Sequence, residues 1–277
     1  MKEHIKSLFF YFFIFFSLFT FFAHFIYRTP KVVYPLKLTE QFDSNLVSLN
    51  TLDKLEAALF SKLSNTTRDT GVILDTLDNL IRNRFYHGYS TYSLGDNWLA
   101  FLIGKVLWVN LQYIVIPEDI MKHPMAACSQ QGMVFQEMLN RLGIPWATTA
   151  YEPTTEHISG HYAVSAYYDG GWHYFDTNLE PKKLPGNPSV FKMIEDSSLV
   201  SVYKDRNQHF IADKIKNKAI SRIKIMRYNA PNALLFHLVT LFFSNWGWLF
   251  FGIWTVVVFR YPIYYGFILK LFSKFNK

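Results

Sequence analysis

Long stretches without charged side chains stand near both ends of the chain. No residue from 7 to 27 is charged, and ten of the twenty residues over 8–27 are phenylalanine. A helix of that length, at about 1.5 Å per residue, crosses the roughly 30 Å hydrocarbon core of a bilayer. A second uncharged run of 32 residues covers 228–259 and contains three tryptophans. The pattern predicts transmembrane helices over 8–27 and 233–259.

The sequence around the first run distinguishes an anchor from a cleaved signal peptide. Two lysines precede the run, as in a signal peptide, but it ends in "FFAHFIYRTP", without the small residues of a cleavage site. Two retained spans put the tails, 1–7 and 260–277, on one side of the membrane. The tails carry six basic residues, which favours cytoplasmic tails and an extracytoplasmic domain over 28–230, although basic residues also flank the spans on the domain side.

Apolar residues recur at helical spacing through the first half of the predicted domain. They are Leu52, Leu55, Leu59 and Leu63 in one segment and Leu74, Leu77 and Ile81 in the next. A third helix is expected in "GDNWLAFLIGKVLW", with Asp96 as its N-cap. The first half of the domain is therefore predicted to be helical.

Another helix is predicted to begin at Cys128, in "CSQQGMVFQEMLNRLGIP". Its apolar positions are Met133, Val134, Met138 and Leu142. Gly143 and Pro145 should end it, since glycine commonly follows the last helical turn and proline stands just beyond. "WATTAYE" then predicts a strand, and "HYAVSAYY" and "WHYFD" on either side of "DGG" predict a hairpin. Helices followed by an antiparallel sheet indicate an α+β fold.

Two segments follow the hairpin. Residues 189–200 are predicted to form a short helix, while the stretch over 210–228 allows two interpretations. Four isoleucines would lie roughly on one side of a basic amphipathic helix on a membrane surface: Ile211, Ile215, Ile220 and Ile223. Alternatively, the part "ISRIKIMRY" is an ordinary strand of the domain.

Charge and cysteine content narrow the range of functions. A net charge of +7 is typical of proteins that bind nucleic acid. Residues 31–230, however, contain 21 basic and 20 acidic side chains, so the excess of basic residues lies beside the predicted membrane helices. We therefore expect a lipid bilayer as a partner and no nucleic acid. A single cysteine excludes an internal disulfide. Without a regular spacing of ligands, no metal site and no cofactor are expected.

The single cysteine, Cys128, is predicted to lie in the first turn of a helix, where free N–H groups and the helix dipole favour a thiolate. A nucleophilic thiolate needs a histidine as base, and that histidine needs an orienting acceptor. His161 begins the first hairpin strand and Asp176 ends the second. A two-residue turn places these two side chains on one face, within reach of a hydrogen bond, whereas a three-residue loop separates them. Without such partners, Cys128 would be a small buried residue.

Three other histidines are weaker candidates. His157 is separated from the hairpin by a glycine, His173 is predicted on the face of its strand opposite to Asp176, and His123 lies in the loop before the cysteine. Their spacing does not match a zinc-binding pattern.

The cysteine helix ending in Gly-Ile-Pro, followed by a strand and by "GHYAVSAYYDGGWHYFD", resembles the core of the transglutaminase-like superfamily. The match covers about residues 85–181, although Thr177 stands where many relatives have proline. The resemblance implies a papain-like fold in a bacterial, membrane-anchored member. It further implies that Cys128 is the nucleophile, His161 the general base and acid, and Asp176 the orienting residue.

An oxyanion site needs two hydrogen-bond donors, and the backbone N–H of Cys128 can supply one. Papain-like peptidases often carry a glutamine six residues upstream of the cysteine, where this chain has Lys122. Gln131, Trp98 and Trp108 are the candidates for the second donor. The resemblance implies a thiol enzyme that acts on amide bonds through a thioester, as a peptidase or amidase rather than a crosslinking enzyme. Its substrate would be a peptide or a cell-envelope polymer. The alternative is a catalytically inactive binding or scaffold module of the cell envelope.

Overall fold

A computed structural model describes residues 2–25, 42–63, 69–151, 160–179, 184, 186–204, 220–226 and 230–275 of the chain. Over these residues the fold is α+β, as predicted. The helices are α1 (Lys2–Phe25), α2 (Leu52–Lys62), α3 (Thr70–Arg84), α4 (Leu94–Val106), α5 (Pro117–Met121), α6 (Cys128–Arg141), α7 (Val190–Glu195), α8 (Ser198–Lys204) and α9 (Pro231–Phe275), with 3₁₀ turns at Ser44–Ser48 and Val109–Gln112. The strands are β1 (Tyr86–His87), β2 (Met125–Ala126), β3 (Trp146–Tyr151), β4 (His161–Tyr168), β5 (Gly171–Phe175) and β6 (Ile220–Ile225).

The chain divides into two compact units. The helical unit comprises Met1–Lys31, Thr91–Gln112 and Leu235–Lys277, and the mixed unit comprises Val32–Ser90 and Tyr113–Leu234. The sequence predicted one continuous domain over 28–230. In the structure, residues 91–112 instead group with the two ends of the chain.

Leucines at helical spacing bury one face of α2 and one face of α3. The buried residues are Leu52, Leu55 and Leu59 in α2 and Leu74, Leu77 and Ile81 in α3. Each helix follows a residue whose side-chain oxygen accepts a first-turn N–H at 3.2 Å, Thr51 for α2 and Asp69 for α3. Both predicted helices are confirmed, and Leu63 lies just past the end of α2 in an extended conformation.

Helix α6 has Cys128 as its first residue, as predicted. It ends in a Schellman motif, in which Gly143 adopts a φ of +68° and the N–H of Ile144 donates to the carbonyl oxygen of Leu139 at 2.9 Å. Glycine tolerates this left-handed backbone better than residues that carry a Cβ atom. The glycine thus fixes the point at which the chain leaves the helix for β3.

The main sheet has four antiparallel strands in the order β5-β4-β3-β6. The β4–β5 hairpin closes through a two-residue turn at Asp169 and Gly170, whose φ values of 47° and 77° suit a type I′ turn. Continuing the register of the hairpin sets Asp176 opposite Ala163, on the same face as His161. The two-residue alternative from the sequence is therefore the one adopted.

Later segments differ in part from their predictions. The single helix predicted over 189–200 is two short helices, α7 and α8, which meet at Ser197 with a φ of 61°. Strand β6 pairs with β3, so 220–225 is a strand of the domain. Residues 210–219 lie outside the described residues.

Both faces of the main sheet are covered. On one face α6 approaches β4 so closely that a Cβ atom at Gly132 would lie 2.5 Å from Cε1 of Tyr162. On the other face α7 and α8 cover an apolar cluster. Its buried members are Tyr151, Ala163, Tyr174, Val190, Met193, Leu199, Val202 and Tyr203. Helix α6 is thereby held directly against the strand that begins with His161.

The helical unit contains α1, α4 and most of α9. Among the described residues, only Asn232–Trp254 of α9 is long and apolar enough to cross a membrane, and Tyr11–Ala23 of α1 is a shorter apolar stretch. Helix α4 begins after Ser93, so the prediction that Asp96 is its N-cap is wrong. The Asp96 carboxylate instead reaches back and accepts from the N–H of Ser93 at 3.0 Å.

We expect Gly132→Ala to destabilise the mixed unit by about 1–3 kcal/mol, because the added methyl group would overlap the Tyr162 ring. Urea unfolding in detergent would measure the change. Gly171→Ala is the matched control, since its Cβ atom would only touch Nε2 of His173 at 3.6 Å. An unchanged unfolding midpoint for Gly132→Ala would contradict the close approach of α6 to β4.

Candidate active site

The start of α6 is held by the short strand that precedes it. Strand β2 pairs in parallel with β1, which sets His87 beside Ala126. Ala127 is the N-cap, with an extended backbone and no side-chain oxygen that could accept from the first turn. The first N–H groups of a helix have no intrahelical acceptor. The side chain of Ala127 therefore does not cap the helix end that contains the N–H of Cys128.

Gln130 ties this helix end to its surroundings. Its Oε1 accepts from the N–H groups of Ala127 and Ser90 at 3.2 and 2.8 Å. Its Nε2 donates to the carbonyl oxygens of Ser90 and Ile114 at 2.9 and 2.8 Å. These four hydrogen bonds use the full capacity of the amide. Because Gln130 is buried, they fix the position of the first turn and hence of Cys128.

His161 and Asp176 meet at the open end of the β4–β5 hairpin. Nε2 of His161 lies 2.7 Å from Oδ2 of Asp176, and the two residues are only 5% and 1% exposed. The other carboxylate oxygen, Oδ1, accepts from the N–H groups of Asn178 and Leu179 at 3.1 and 3.0 Å. The structure therefore brings the predicted pair together, and Nδ1 is the imidazole nitrogen left for a further partner.

Cys128 is close enough to the imidazole to contribute to its pKa. Burial disfavours a charged imidazole, but the carboxylate of Asp176 and the neighbouring Cys128 outweigh it and raise the pKa of His161 to about 10. Burial also opposes ionisation of Asp176, yet His161, Tyr203 and the N–H of Leu179 keep the pKa of that carboxyl below its ordinary value. At neutral pH the site therefore holds an imidazolium between a carboxylate and a sulfur atom.

Three buried tyrosines continue the hydrogen-bond chain behind the carboxylate. The Tyr203 hydroxyl donates to Oδ2 of Asp176 at 2.5 Å and lies 2.8 Å from the Tyr174 hydroxyl. The Tyr151 hydroxyl donates in turn to that of Tyr174 at 3.4 Å. Burial raises the pKa of all three phenols above their ordinary value, so they remain protonated donors.

Cys128 is the most exposed residue of the triad. Cys128 is half-buried, whereas His161 and Asp176 are buried. Burial, followed by the nearby Cys128 and Tyr113, raises the pKa of Tyr89, whose phenol therefore lies near the sulfur. The Tyr89 ring stacks on Tyr113 with 4.1 Å between centroids, and Tyr89 is 48% exposed. This stacked pair provides an exposed aromatic surface beside the thiol.

The Gln131 side chain is buried, and its Nε2 donates to the carbonyl oxygen of Ala126 at 3.0 Å. That bond uses one of the two Nε2 hydrogens. Its Oε1, which can only accept, has no hydrogen-bond partner within the described part of the chain. Gln131 therefore stays a prediction as an oxyanion donor.

The structure describes His173 and His123, two of the three weaker histidine candidates. His173 is held by backbone carbonyls, with Nδ1 2.7 Å from the oxygen of Asn187 and Nε2 3.1 Å from that of Tyr168. His123 is buried in the loop before β2. His157 lies outside the described residues. Across the ranges that the structure describes, no group of three histidine, cysteine or acidic side chains could hold a metal ion.

Three residues of the site were not identified from the sequence. Tyr203 lies beyond the helix predicted over 189–200, and its contact with Asp176 spans 27 positions. Gln130 was visible only as a polar residue in a first helical turn. Gly132 did carry a usable signal, because glycine inside a helix costs about 1 kcal/mol and often marks close packing.

Comparison of the chain with protein-family models, with curated proteins and with solved structures gives no match. The chemical interpretation of the site therefore depends on its geometry and on the sequence resemblance. Both concern the same residues, Cys128, His161 and Asp176.

We expect Tyr203→Phe to lower the stability of the mixed unit by about 1.5–3 kcal/mol near pH 7, because it removes a hydrogen bond to a charged carboxylate. The pKa of Asp176 is lowered in the folded state, so this contribution is present above its ordinary value of 3.8 and is lost as the pH falls through the folded pKa. The difference from wild type in the urea midpoint should thus shrink at acid pH.

Tyr174→Phe is the matched control for this experiment, because it leaves the bond between Tyr203 and Asp176 in place. Its effect should be smaller and should not depend on pH in the acid range. Equal, pH-independent losses for the two variants would show that Tyr203 does not stabilise the ionised carboxylate.

Proposed function

We propose that this protein is a membrane-anchored thiol enzyme of the transglutaminase-like kind, which acts on amide bonds. The observation that supports the proposal most strongly is the buried His161–Asp176 pair, with Cys128 near enough to the imidazole to raise its pKa. Cys128 begins α6, His161 begins β4, and Asp176 directly follows β5. A structural cysteine requires neither a protonated neighbour nor partial exposure. This cysteine has both.

The arrangement of elements supports a papain-like core. A cysteine begins a helix, the helix packs on an antiparallel sheet, and the histidine and aspartate come from adjacent strands of that sheet. This is the arrangement that the sequence resemblance implies. The proposal therefore assigns Cys128 as the nucleophile, His161 as the proton carrier and Asp176 as the residue that orients the imidazole.

In the first half of the reaction, the thiolate of Cys128 attacks the carbonyl carbon of a peptide or other amide. An S–C bond forms and the carbonyl π electrons move to oxygen, which becomes an oxyanion. When the oxyanion collapses, the C–N bond breaks and the imidazolium of His161 gives its proton to the departing nitrogen. The products are a free amine, a thioester on Cys128 and a neutral imidazole.

In the second half, water resolves the thioester. The neutral imidazole of His161 removes a proton as the water oxygen attacks the carbonyl carbon, and the C–S bond then breaks. A carboxylic acid leaves, and the thiolate and imidazolium are restored. An amine in place of water would transfer the acyl group instead. We propose hydrolysis, in a peptidase or amidase, as the sequence resemblance implies.

The oxyanion would be stabilised at the start of α6. The N–H of Cys128 and the positive end of the helix dipole are the groups that this structure offers there. Burial of His161 strengthens electrostatic effects on the adjoining side of the site.

We also propose that α1 and α9 both cross the membrane, with tails 1–7 and 260–277 in the cytoplasm and the mixed unit outside. The apolar stretch Tyr11–Ala23 lies within the span predicted over 8–27, and Asn232–Trp254 meets the length of a span by itself. The substrate would be a peptide or a cell-envelope polymer that contains amide bonds.

One observation favours a second candidate function, a binding or scaffold module without turnover. Nε2 of Gln131, one of the side chains considered as a second oxyanion donor, already donates to the carbonyl oxygen of Ala126. A module of this kind would keep the stacked Tyr89 and Tyr113 rings but would lack full stabilisation of an oxyanion.

Reaction of the purified full chain with p-nitrophenyl acetate would separate the two functions. For an enzyme, we expect release of several equivalents of p-nitrophenol, a transient acetyl group on Cys128 detected by mass spectrometry, and acetate as the main product even when an amine is added. His161→Gln should slow acylation about a hundredfold or more, because general acid–base catalysis contributes at least that factor.

Cys128→Ser is the control for acetylation elsewhere on the chain. Equal acylation rates for wild type and His161→Gln, with no release beyond one equivalent, would favour the scaffold function. Acetylated amine as the main product would retain the thiol enzyme but replace hydrolysis by acyl transfer.

A further inference from the structure

An exposed apolar surface lies at the end of α4, in the helical unit. Val106, Leu107, Trp108 and Val109 are 80%, 75%, 59% and 53% exposed, and Leu102 one turn earlier is 38% exposed. We refer to these five residues as the α4 tip. A contiguous group of exposed large apolar side chains marks a surface that is covered by something else.

The segment that carries the α4 tip has little charge. Residues 91–112 contain two charged side chains, Asp96 at the start of α4 and Lys105 near its end. Asp96 is engaged with Ser93, and Nζ of Lys105 lies 5.4 Å from the ring centroid of Phe101. Asn97 interrupts α4 with a φ of −153° and a ψ of 81°, and the helical piece that follows it, over 98–106, is about 14 Å long at about 1.5 Å per residue. It is too short to cross the roughly 30 Å hydrocarbon core of a bilayer but long enough to enter it.

The two ends of the segment Thr91–Gln112 lie next to each other. The N–H of Tyr92 donates to the carbonyl oxygen of Gln112 at 2.9 Å. Gly104 packs directly against the Gln112 side chain, so α4 and the following 3₁₀ turn lie side by side. The α4 tip therefore forms the far end of a compact helical hairpin.

Asn97 and the carbonyl group of Leu111 are hydrogen-bonded to α9, whereas the buried Nε1 of Trp98 has no partner among the described residues. Nδ2 of Asn97 donates to Oγ1 of Thr240 at 2.9 Å, and Oδ1 of Asn97 accepts from Oγ of Ser244 at 2.8 Å. Nε2 of His237 also lies 3.1 Å from the carbonyl oxygen of Leu111. All three α9 residues lie inside Asn232–Trp254. Inter-helix hydrogen bonds of this kind are what a polar side chain requires at membrane depth.

Helix α1 covers another side of α4. The indole of Trp98 contacts Phe16 and Phe19 edge-to-face, with centroid distances of 5.6 and 6.0 Å. The hairpin is thus packed against the two helices that we propose as membrane spans. The residues of the α4 tip remain exposed after this packing.

We propose that the α4 tip is inserted in the lipid bilayer, so that Thr91–Gln112 is a re-entrant membrane hairpin beside α1 and α9. This inference rests on the proposed membrane location of those two helices. Lipid is the covering partner because the hairpin binds within the segment Asn232–Trp254, whose own exposed side chains are large and apolar. Examples are Phe242, Trp246, Leu249 and Phe250.

The single native cysteine allows a direct test. In a Cys128→Ser background, one new cysteine is placed at Val106, Trp108, Phe250 or Ser61 and labelled with an environment-sensitive fluorophore. The labelled full chain is reconstituted into phosphatidylcholine–phosphatidylglycerol vesicles that contain doxyl-labelled lipid. Phe250 is the control for α9, and the exposed Ser61 of α2 is the control for the mixed unit.

We expect the labels at 106 and 108 to be quenched about as strongly as the label at 250, and several-fold more than the label at 61. Quenching at 250 without quenching at 106 and 108 would overturn the re-entrant hairpin and leave the membrane anchor intact. In that case, a blue-shifted but unquenched label would indicate a protein partner or a second copy. Absence of quenching at 250 as well would overturn both the hairpin and the proposed membrane location.

Discussion

The hydrogen bond between His161 and Asp176 is the interaction on which the candidate site depends. Neither side chain is exposed enough for water to stabilise its charge, so the protein must supply the compensation. Oδ2 of Asp176 accepts hydrogen bonds from His161 and Tyr203, and Oδ1 accepts from the backbone N–H groups of Asn178 and Leu179. Because the carboxylate is satisfied in this way, it can stay ionised inside the protein and hold an imidazolium beside the sulfur.

One turn and two residues of α6 position the groups of the site. The type I′ turn at Asp169 sets the hairpin register that aligns histidine and aspartate. Gly132 allows α6 to lie against Tyr162 of the histidine-bearing strand, and Gln130 fixes the first turn of α6. Cys128 then lies near the imidazole, whose pKa it helps to raise. The turn at Asp169 lies far in sequence from Gln130 and Gly132, and the triad depends on all three.

Features that follow from local chemistry were predictable from the sequence, and long-range ones were not. Gly143 ends α6, and Asp169 and Gly170 close the hairpin, because these residues adopt left-handed backbone conformations that few other residue types tolerate. The contact of Tyr203 with Asp176 depends on the path of the chain after the hairpin. The grouping of 91–112 with the chain ends depends on the bond between Asn97 and Thr240, which are 143 positions apart. Periodicity shows that a helix is apolar but not which neighbour covers it.

The rate of Cys128 alkylation by iodoacetamide at pH 6.5 and pH 8.5, in wild type and in His161→Gln, tests the central claim most directly. An ordinary thiol with a pKa of about 8.5 loses reactivity about fifty-fold between these two values, because its thiolate fraction falls. Since the pKa of His161 is raised to about 10, the imidazolium persists across this range and should favour the thiolate. We predict that the wild-type rate changes only a few-fold and that His161→Gln restores the steep dependence. A steep dependence in both proteins would contradict an activated cysteine–histidine pair.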